Sequence, residues 1–433
     1  MNREPSRGTL FSIALLASAQ SYSAFAQFAS VMPEGILALI GTHRSYVNQT
    51  HSWNIDGIRS PLNKRAQLRF DGGHLLRGEG GAKLQALAQE LERYDPNPNN
   101  PNSVMKRLNL GTLNVGGTAT MSIQYLGLAV GLPAGFTLYA AVPLVNISIK
   151  TNFAMEGKNN AKDLEDELGE LAFEELRAGL NQAGQLTERD IKASIEAAEY
   201  TGVDSWRYQN LADVIAGVAF DIIPGSEAPE GIDFSLQAET FLSAPTGHVD
   251  NPDVIADVSI GTGAWGFGLA LTPKVKFNQS YSLSVEGNAM AFMPSKQKMR
   301  VPEIDETIIP TSRRTMVDVQ TGMDWATTLV FDSKFDWFQP QYRVGWKRHE
   351  RDSIKGTLSG NYDSLMIPTE REQLEHALWL NFSTIEMYRE NRFPIPFRLK
   401  VAAHHLFKGW NSFDNNYFEL QLVSFLPTPW MRD

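Results

Sequence analysis

The chain has 433 residues, 49 acidic against 39 basic side chains for a net charge of −10, and no cysteine. The acid excess and the lack of any dense Lys/Arg tract argue against a nucleic-acid partner, and the missing cysteines exclude disulfides, thiolate metal sites and a cysteine nucleophile. Past the N-terminus no segment approaches the roughly 18 uninterrupted apolar residues of a membrane helix, and a mean hydropathy of −0.25 suits strands that each turn one face to a wet lumen.

Arg3 and Arg7 precede an apolar stretch, Leu10 to Phe25, that ends in Ala24-Phe25-Ala26. Basic flank, short apolar core and small-x-small end read as a secretory signal over residues 1–26, with Gln27 as the mature start. Losing Arg3, Glu4 and Arg7 (net +1) takes the charge from −10 to −11.

Amphipathic strand-like runs then follow near 36–47, 113–131, 136–150, 206–223, 232–244, 264–276, 281–293, 314–331, 335–350, 372–388, 395–407 and 416–426. Short connections between them (Leu132–Gly135, Pro224–Gly231, Phe277–Ser280, Asp332–Lys334, Glu390–Pro394) alternate with long ones. That alternation, with an even strand count, predicts an all-β fold: an antiparallel up-and-down transmembrane β-barrel of about twelve strands, fourteen being the alternative, with both termini on the periplasmic side of a bacterial outer membrane. A soluble sandwich shares the period-2 pattern, but its strands average about 5–6 residues and nothing makes its loops alternate in length. Trp206, Trp265, Trp337 and Trp346 fall near strand ends, where interfacial girdles lie.

The period-2 pattern assigns faces. Apolar positions such as Ile123, Leu269 and Val319 are expected to meet lipid. The opposite positions, Thr118, Thr120, Gln124, Lys274, Lys276, Asp318, Gln320, Arg398 and Lys400, are the candidates for lining the lumen. With Glu239, Glu286, Asp324, Arg343, Lys347 and Glu419 on polar faces too, the lining carries both signs rather than the single-sign ring of a strongly selective pore.

Two stretches, 48–112 and 151–205, are too long for plain loops. Helical spacing marks Ala82 to Tyr94 in the first and about Lys162 to Leu180 in the second, where Thr187-Glu188-Arg189-Asp190 opens a further helix as a capping box. The second stretch holds twelve acidic and five basic residues from Glu156 to Glu199. By strand parity it lies outside, and its apolar stripe is expected to find cover at the barrel mouth and restrict access there.

Candidates for other chemistry are few. His404 and His405 are strand neighbours that point to opposite faces and cannot share a metal. The carboxylates of Asp250, Asp253 and Asp257 could hold Ca²⁺, but their spacing is no EF-hand and acidic turn chemistry fits better. No nucleophile-elbow signature is present, so neither an enzyme, a metal nor a cofactor is expected.

The run Phe241-Leu242-Ser243-Ala244-Pro245-Thr246-Gly247, an Asp-rich loop, and Ile260-Gly261-Thr262-Gly263-Ala264-Trp265-Gly266-Phe267-Gly268 resembles the corresponding stretch of the "MetA-pathway of phenol degradation" outer-membrane proteins, as does Leu138 to Leu144 with its Val-Pro. The resemblance covers about 130–290 and implies a barrel that passes hydrophobic, often aromatic, compounds across the outer membrane. The expected partners are outer-membrane lipid, the assembly machinery and a small solute, with the barrel monomeric. Outer-membrane chains usually finish on an aromatic residue; here Phe425 or Trp430 would serve. The rival expectation is a barrel plugged by its insertions, with a structural or binding role.

Overall fold

Alternation of buried and exposed positions carries through twelve strands, and hydrogen-bonded pairing closes them into one ring. The computed structural model describes residues 31–427 except 48, 63–65, 73–81, 95–99, 101–102, 170–172, 227–230, 256 and 303–312. The expected signal segment, Gln27 and Trp430 lie outside the described residues. In chain order the barrel strands are β1 (Ile36–Tyr46), β2 (Asn109–Leu132), β3 (Phe136–Glu156), β4 (Val214–Ile223), β5 (Asp233–Ala244), β6 (Gly266–Lys276), β7 (Tyr281–Phe292), β8 (Asp324–Ser333), β9 (Phe338–His349), β10 (Arg371–Ser383), β11 (Phe397–Trp410) and β12 (Tyr417–Pro427). Each pairs antiparallel with its chain neighbour, and β1 closes the ring on β12, from Ile36↔Pro427 to Tyr46↔Tyr417. Closure leaves no unpaired edge.

One rim carries short turns and the other long loops, except for the connection 411–416, which is short on the long-loop rim. Two expected strands are broken. The run 206–223 splits at Ala212-Asp213, so that Ser205–Leu211 pairs with the outer part of β3 before β4 enters the ring. The run 314–331 splits at Thr321-Gly322-Met323: Arg314–Gln320 joins Ser295–Arg300 and Ser353–Lys355 in a separate three-stranded sheet above the rim. Gly322 marks the break, because a Cβ there would collide with the Glu350 carbonyl while its N–H donates to Asp352 at 2.7 Å.

The outer face is an apolar belt. Leu126, Leu138, Leu242, Phe267, Leu269, Leu271, Leu329, Leu378, Leu420 and Leu422 all stand exposed on it. Toward the short-turn rim Trp337 stacks on Phe382 and Tyr281 on Phe331, an interfacial girdle; Trp265 is exposed at the opposite rim, whereas Trp206 is turned against Tyr208 and His248. A closed up-and-down barrel with such a belt satisfies every backbone group internally and is built to span a bacterial outer membrane. Placing Arg at Leu269 should cost about 2–4 kcal/mol, while Arg at Thr272, three positions on and facing inward, should be mild. Urea titration of barrels folded into lipid vesicles measures both, and equal losses would contradict the assigned faces.

Inside, glycines let large side chains lie along the wall. Tyr139 crosses Gly217 to donate to Glu239, and the Phe241 ring covers Gly268; a Cβ at either glycine would collide with those rings.

Candidate permeation pathway

The lumen has two unlike halves. From β1 to β5 its buried inward residues are mostly apolar, with Ile40, Ile123, Tyr125, Ala141, Val145, Ile147, Ile215 and Phe241 in one cluster and Thr42, Arg44, Thr137 and Glu239 as polar exceptions. From β7 to β12 they are ionic. Arg343 pairs with Glu286, Lys347 Nζ lies 2.7 Å from Glu375, and Arg44 Nε donates to Glu419 at 2.5 Å. Tyr46, Tyr125 and Tyr417 surround that last pair, with the Arg44 guanidinium 5.2 Å from the Tyr125 and Tyr417 ring centres. Toward the short-turn rim the inward face stays half-exposed at Gln237, Thr272, Lys274, Ser284, Asn288, Thr328 and Gln341.

The sequence-derived lumen candidates separate into three groups. Lys274, Lys276, Arg398 and Lys400 are on inward positions of β6 and β11: Lys274 is 3.6 Å from Asp332, Lys276 donates to the Ser226 carbonyl at 2.6 Å, and Arg398 and Lys400 lie over the Phe425 and Trp379 rings at 6.0 and 5.7 Å. Thr118, Thr120 and Gln124 are instead exposed on the outward face that carries Leu126 and Leu128, and Ile123 between them is fully buried inside. Asp318 and Gln320 are not in the ring at all. Asp318 faces solvent near Lys296, Gln320 donates to the Phe292 carbonyl at 2.8 Å, and Val319 packs with Val301, Val317 and Ile354 rather than against lipid.

The physical reason for the β2 reversal is that its two faces do not divide into lipid and water. Its outer part rises past the belt, so Thr118 and Thr120 need solvent, and its inner part meets other apolar side chains. Some of those side chains come from neighbouring strands and some from the 245–265 loop. Val258, Ile260 and Ala264 fold in over the mouth and join the cluster of Ile147 and Ile215. The loop is tied down by Asp213, which is buried and accepts from Gly247 N (2.8 Å), Thr262 N (2.9 Å) and Thr262 Oγ1 (3.1 Å). Thr246 Oγ1 accepts from Val214 N and donates to the Ala212 carbonyl, both at 2.9 Å. Gly247 and Gly261 pack backbone to backbone, with room for no side chain. The Pro-Thr-Gly and Gly-x-Gly stretches are thus a latch.

Of the loop's carboxylates, Asp253 accepts from Arg300 (3.1 Å) and Arg314 (2.6 Å) of the upper sheet, and Asp257 works within the loop. Asp257 accepts from Asn251 N and Val258 N, both at 2.7 Å, and holds His248 Nε2 at 2.7 Å. The hydrogen bond to Asp257 raises the His248 pKa, against the lowering effect of burial. A raised folded-state value means that the pairing stabilises the cap fully below the ordinary value near 6.5 and is lost as pH rises through the folded value. Hydrogen exchange in 246–262, corrected for intrinsic rates, should therefore show looser protection at pH 9 than at pH 6, and His248→Gln should flatten the difference. Equal pH dependence in that variant would contradict the assignment.

The helical insertions do something else. Helices α1 (Ala82–Tyr94), α2 (Ala161–Leu168), α3 (Glu174–Gly184) and α4 (Glu188–Ala197) pack on one another and on the protruding end of the β2–β3 hairpin. One helix was expected over 162–180; Gly169, at φ 51°, divides it. At the start of α4 Thr187 and Asp190 exchange backbone hydrogen bonds as a capping box. The apolar stripe of Leu164, Leu168, Leu176, Leu180 and Ile195 is covered by Leu87, Leu91, Leu110, Leu113 and Phe153. Its cover is therefore not the mouth, and the residues over the mouth come from 245–265. Between that loop and the upper sheet lies an open cleft reaching Thr262, Gln297, His349 and Ile354. His404 stacks inward on Tyr417 at 4.1 Å, while outward-facing His405 pairs with Asn416 at 2.8 Å.

No family model matches the chain, and no curated protein matches it. Among solved structures, an outer membrane channel from Pseudomonas putida F1 is similar at a TM-score of 0.47 and 10% identity, over 91% of this chain and 97% of that one. A Pseudomonas aeruginosa FadL homologue is similar at 0.30 and 10% over 99% of each, and the TodX monoaromatic hydrocarbon channel, as a deletion mutant, at 0.32 and 8% over 97% and 98%.

Proposed function

We propose that this barrel is an outer-membrane channel for small solutes with an apolar body, closed from outside by the 245–265 loop. The observation that carries the reading is the lumen itself: half apolar and half ionic, half-exposed toward the short-turn rim, and covered above by a hydrogen-bonded loop rather than by the barrel wall. A solute with one oily and one polar side finds both surfaces at once. Release of the cap opens the outer end. The resemblance of the Pro-Thr-Gly region to a family suspected of passing aromatic compounds agrees with this reading, and neither the lumen nor the cap calls for catalysis. The barrel acts as a monomer placed in the membrane by the assembly machinery, with Phe425 the aromatic residue nearest the described end.

The near-complete burial of Ile123, Tyr125 and Ile147 favours a second reading, a permanently filled barrel serving display or binding. Liposome swelling with a panel of neutral and charged solutes separates the two. Swelling that is faster for small amphipathic solutes than for sugars of equal size supports the channel. No swelling with any solute, from protein shown to be folded, supports the filled barrel.

A further inference from the structure

Most carboxylates that the described barrel strands turn inward have a partner: Glu419 has Arg44, Glu286 has Arg343, Glu375 has Lys347, Asp332 has Lys274 and Gln339, Asp324 has His349, and Glu239 has Tyr139. Two cations do not. Arg398 and Lys400 occupy successive inward positions of β11, and among the described residues neither has an ion-pair partner. Their in-register neighbours are neutral, Lys400 standing between Asn381 and Gln421 and Arg398 between Ser383 and Val423; the carboxylates that act on them from farther off, Asp332 on Arg398 and Glu286 and Glu419 on Lys400, each have a closer cation in Lys274, Arg343 and Arg44. The Trp379 ring under Lys400 is 1% exposed, and its Nε1–H is buried with no acceptor. Positive charge and unused donors converge on one stretch of wall, flanked by the Trp379 and Phe425 rings.

We infer that Arg398, Lys400 and Trp379 form a binding site for a small organic anion, a carboxylate attached to an apolar body, on the inner wall of the barrel. Two cations on a pleated face two residues apart stand about 6–7 Å apart along the strand, close enough to share the two oxygens of one carboxylate. Charge-assisted hydrogen bonds from Arg and Lys are the strong kind. The half-exposed Phe425 ring supplies surface for the rest of the molecule, and Trp379 backs Lys400 from within the wall. This rests on the channel reading for its physiological meaning, but the site exists or fails independently of it.

The test is calorimetric titration of the full-length barrel in detergent with benzoate and with benzyl alcohol, a neutral molecule of nearly the same shape. Benzoate should bind at least about tenfold more tightly, a difference of about 1.4 kcal/mol, and the preference should vanish in Arg398→Gln/Lys400→Gln. Should that double variant misfold, the comparison of the two ligands on the unaltered chain still decides. Equal affinities, absence of benzoate binding, or a preference unchanged in the folded double variant would overturn the site. Liposome swelling run in parallel keeps the two readings apart: swelling without benzoate preference leaves the channel and removes the site, and benzoate binding without swelling does the reverse.

Discussion

Replacing Arg44 by Ala should lower the unfolding free energy of the barrel by about 3–5 kcal/mol, the cost of leaving a buried charge without its partner. Arg44 and Glu419 are each 2% exposed and lie directly across from one another on β1 and β12, where the ring closes. Loss of the guanidinium strands Glu419 among Tyr46, Tyr125 and Tyr417, far from water. Desolvating the ions offsets much of the pair's own attraction, so the double change Arg44→Met/Glu419→Leu should recover most of the loss. Urea titrations in vesicles with far-UV circular dichroism measure both variants. A single variant as stable as the parent, or a double variant worse than the single, would contradict the assignment.

The second large effect concerns the cap. Asp213→Ala removes the acceptor of three hydrogen bonds that join 212–214 to both ends of the 245–265 loop. Leaving buried donors unpaired costs about 1–3 kcal/mol, which as a bias on a closed-to-open equilibrium is roughly 5- to 150-fold in population. Solute flux should rise accordingly, and shortening the loop across 248–260 should raise it further. Deleting 159–200 should leave flux nearly unchanged, because those helices cover α1 and the β2–β3 extension rather than the mouth. The reverse result, flux raised by the helix deletion and not by Asp213→Ala, would move the gate back to the helical insertion.

The ring itself was legible because strand number, direction and pairing follow from period-2 runs and connection lengths, both of which are local. Two breaks were not. Ala212-Asp213 and Thr321-Gly322-Met323 look continuous with their neighbours, since nothing in Val-Asp-Val-Gln or Arg-Tyr-Gln-Asn says which part of a long strand stays in the wall. Tertiary contacts decide it, Asp352 on Gly322 and Pro143 on Ala212. Faces were legible on β6, where Leu269 stands outside and Lys274 inside. On β2 the polar side is not the lumen side, because the strand outgrows the belt and the lumen beside it is filled in part by an apolar loop. Asp213 carried no signal at all. A lone acid between Ala and Val reads as a turn, and its role exists only because Gly247 and Thr262 arrive from elsewhere in the chain.

The claim that solute passes through the lumen beneath the cap has a direct test in the chain's lack of cysteine. Thr328 faces inward on β8 and is half-exposed. A Thr328→Cys variant carrying Asp213→Ala, reconstituted in a planar bilayer, should conduct, and a charged methanethiosulfonate reagent added from the short-turn side should reduce its current while leaving the Cys-free Asp213→Ala protein unaffected. Current that persists after complete modification of Cys at that position would place the path outside the lumen and contradict the account.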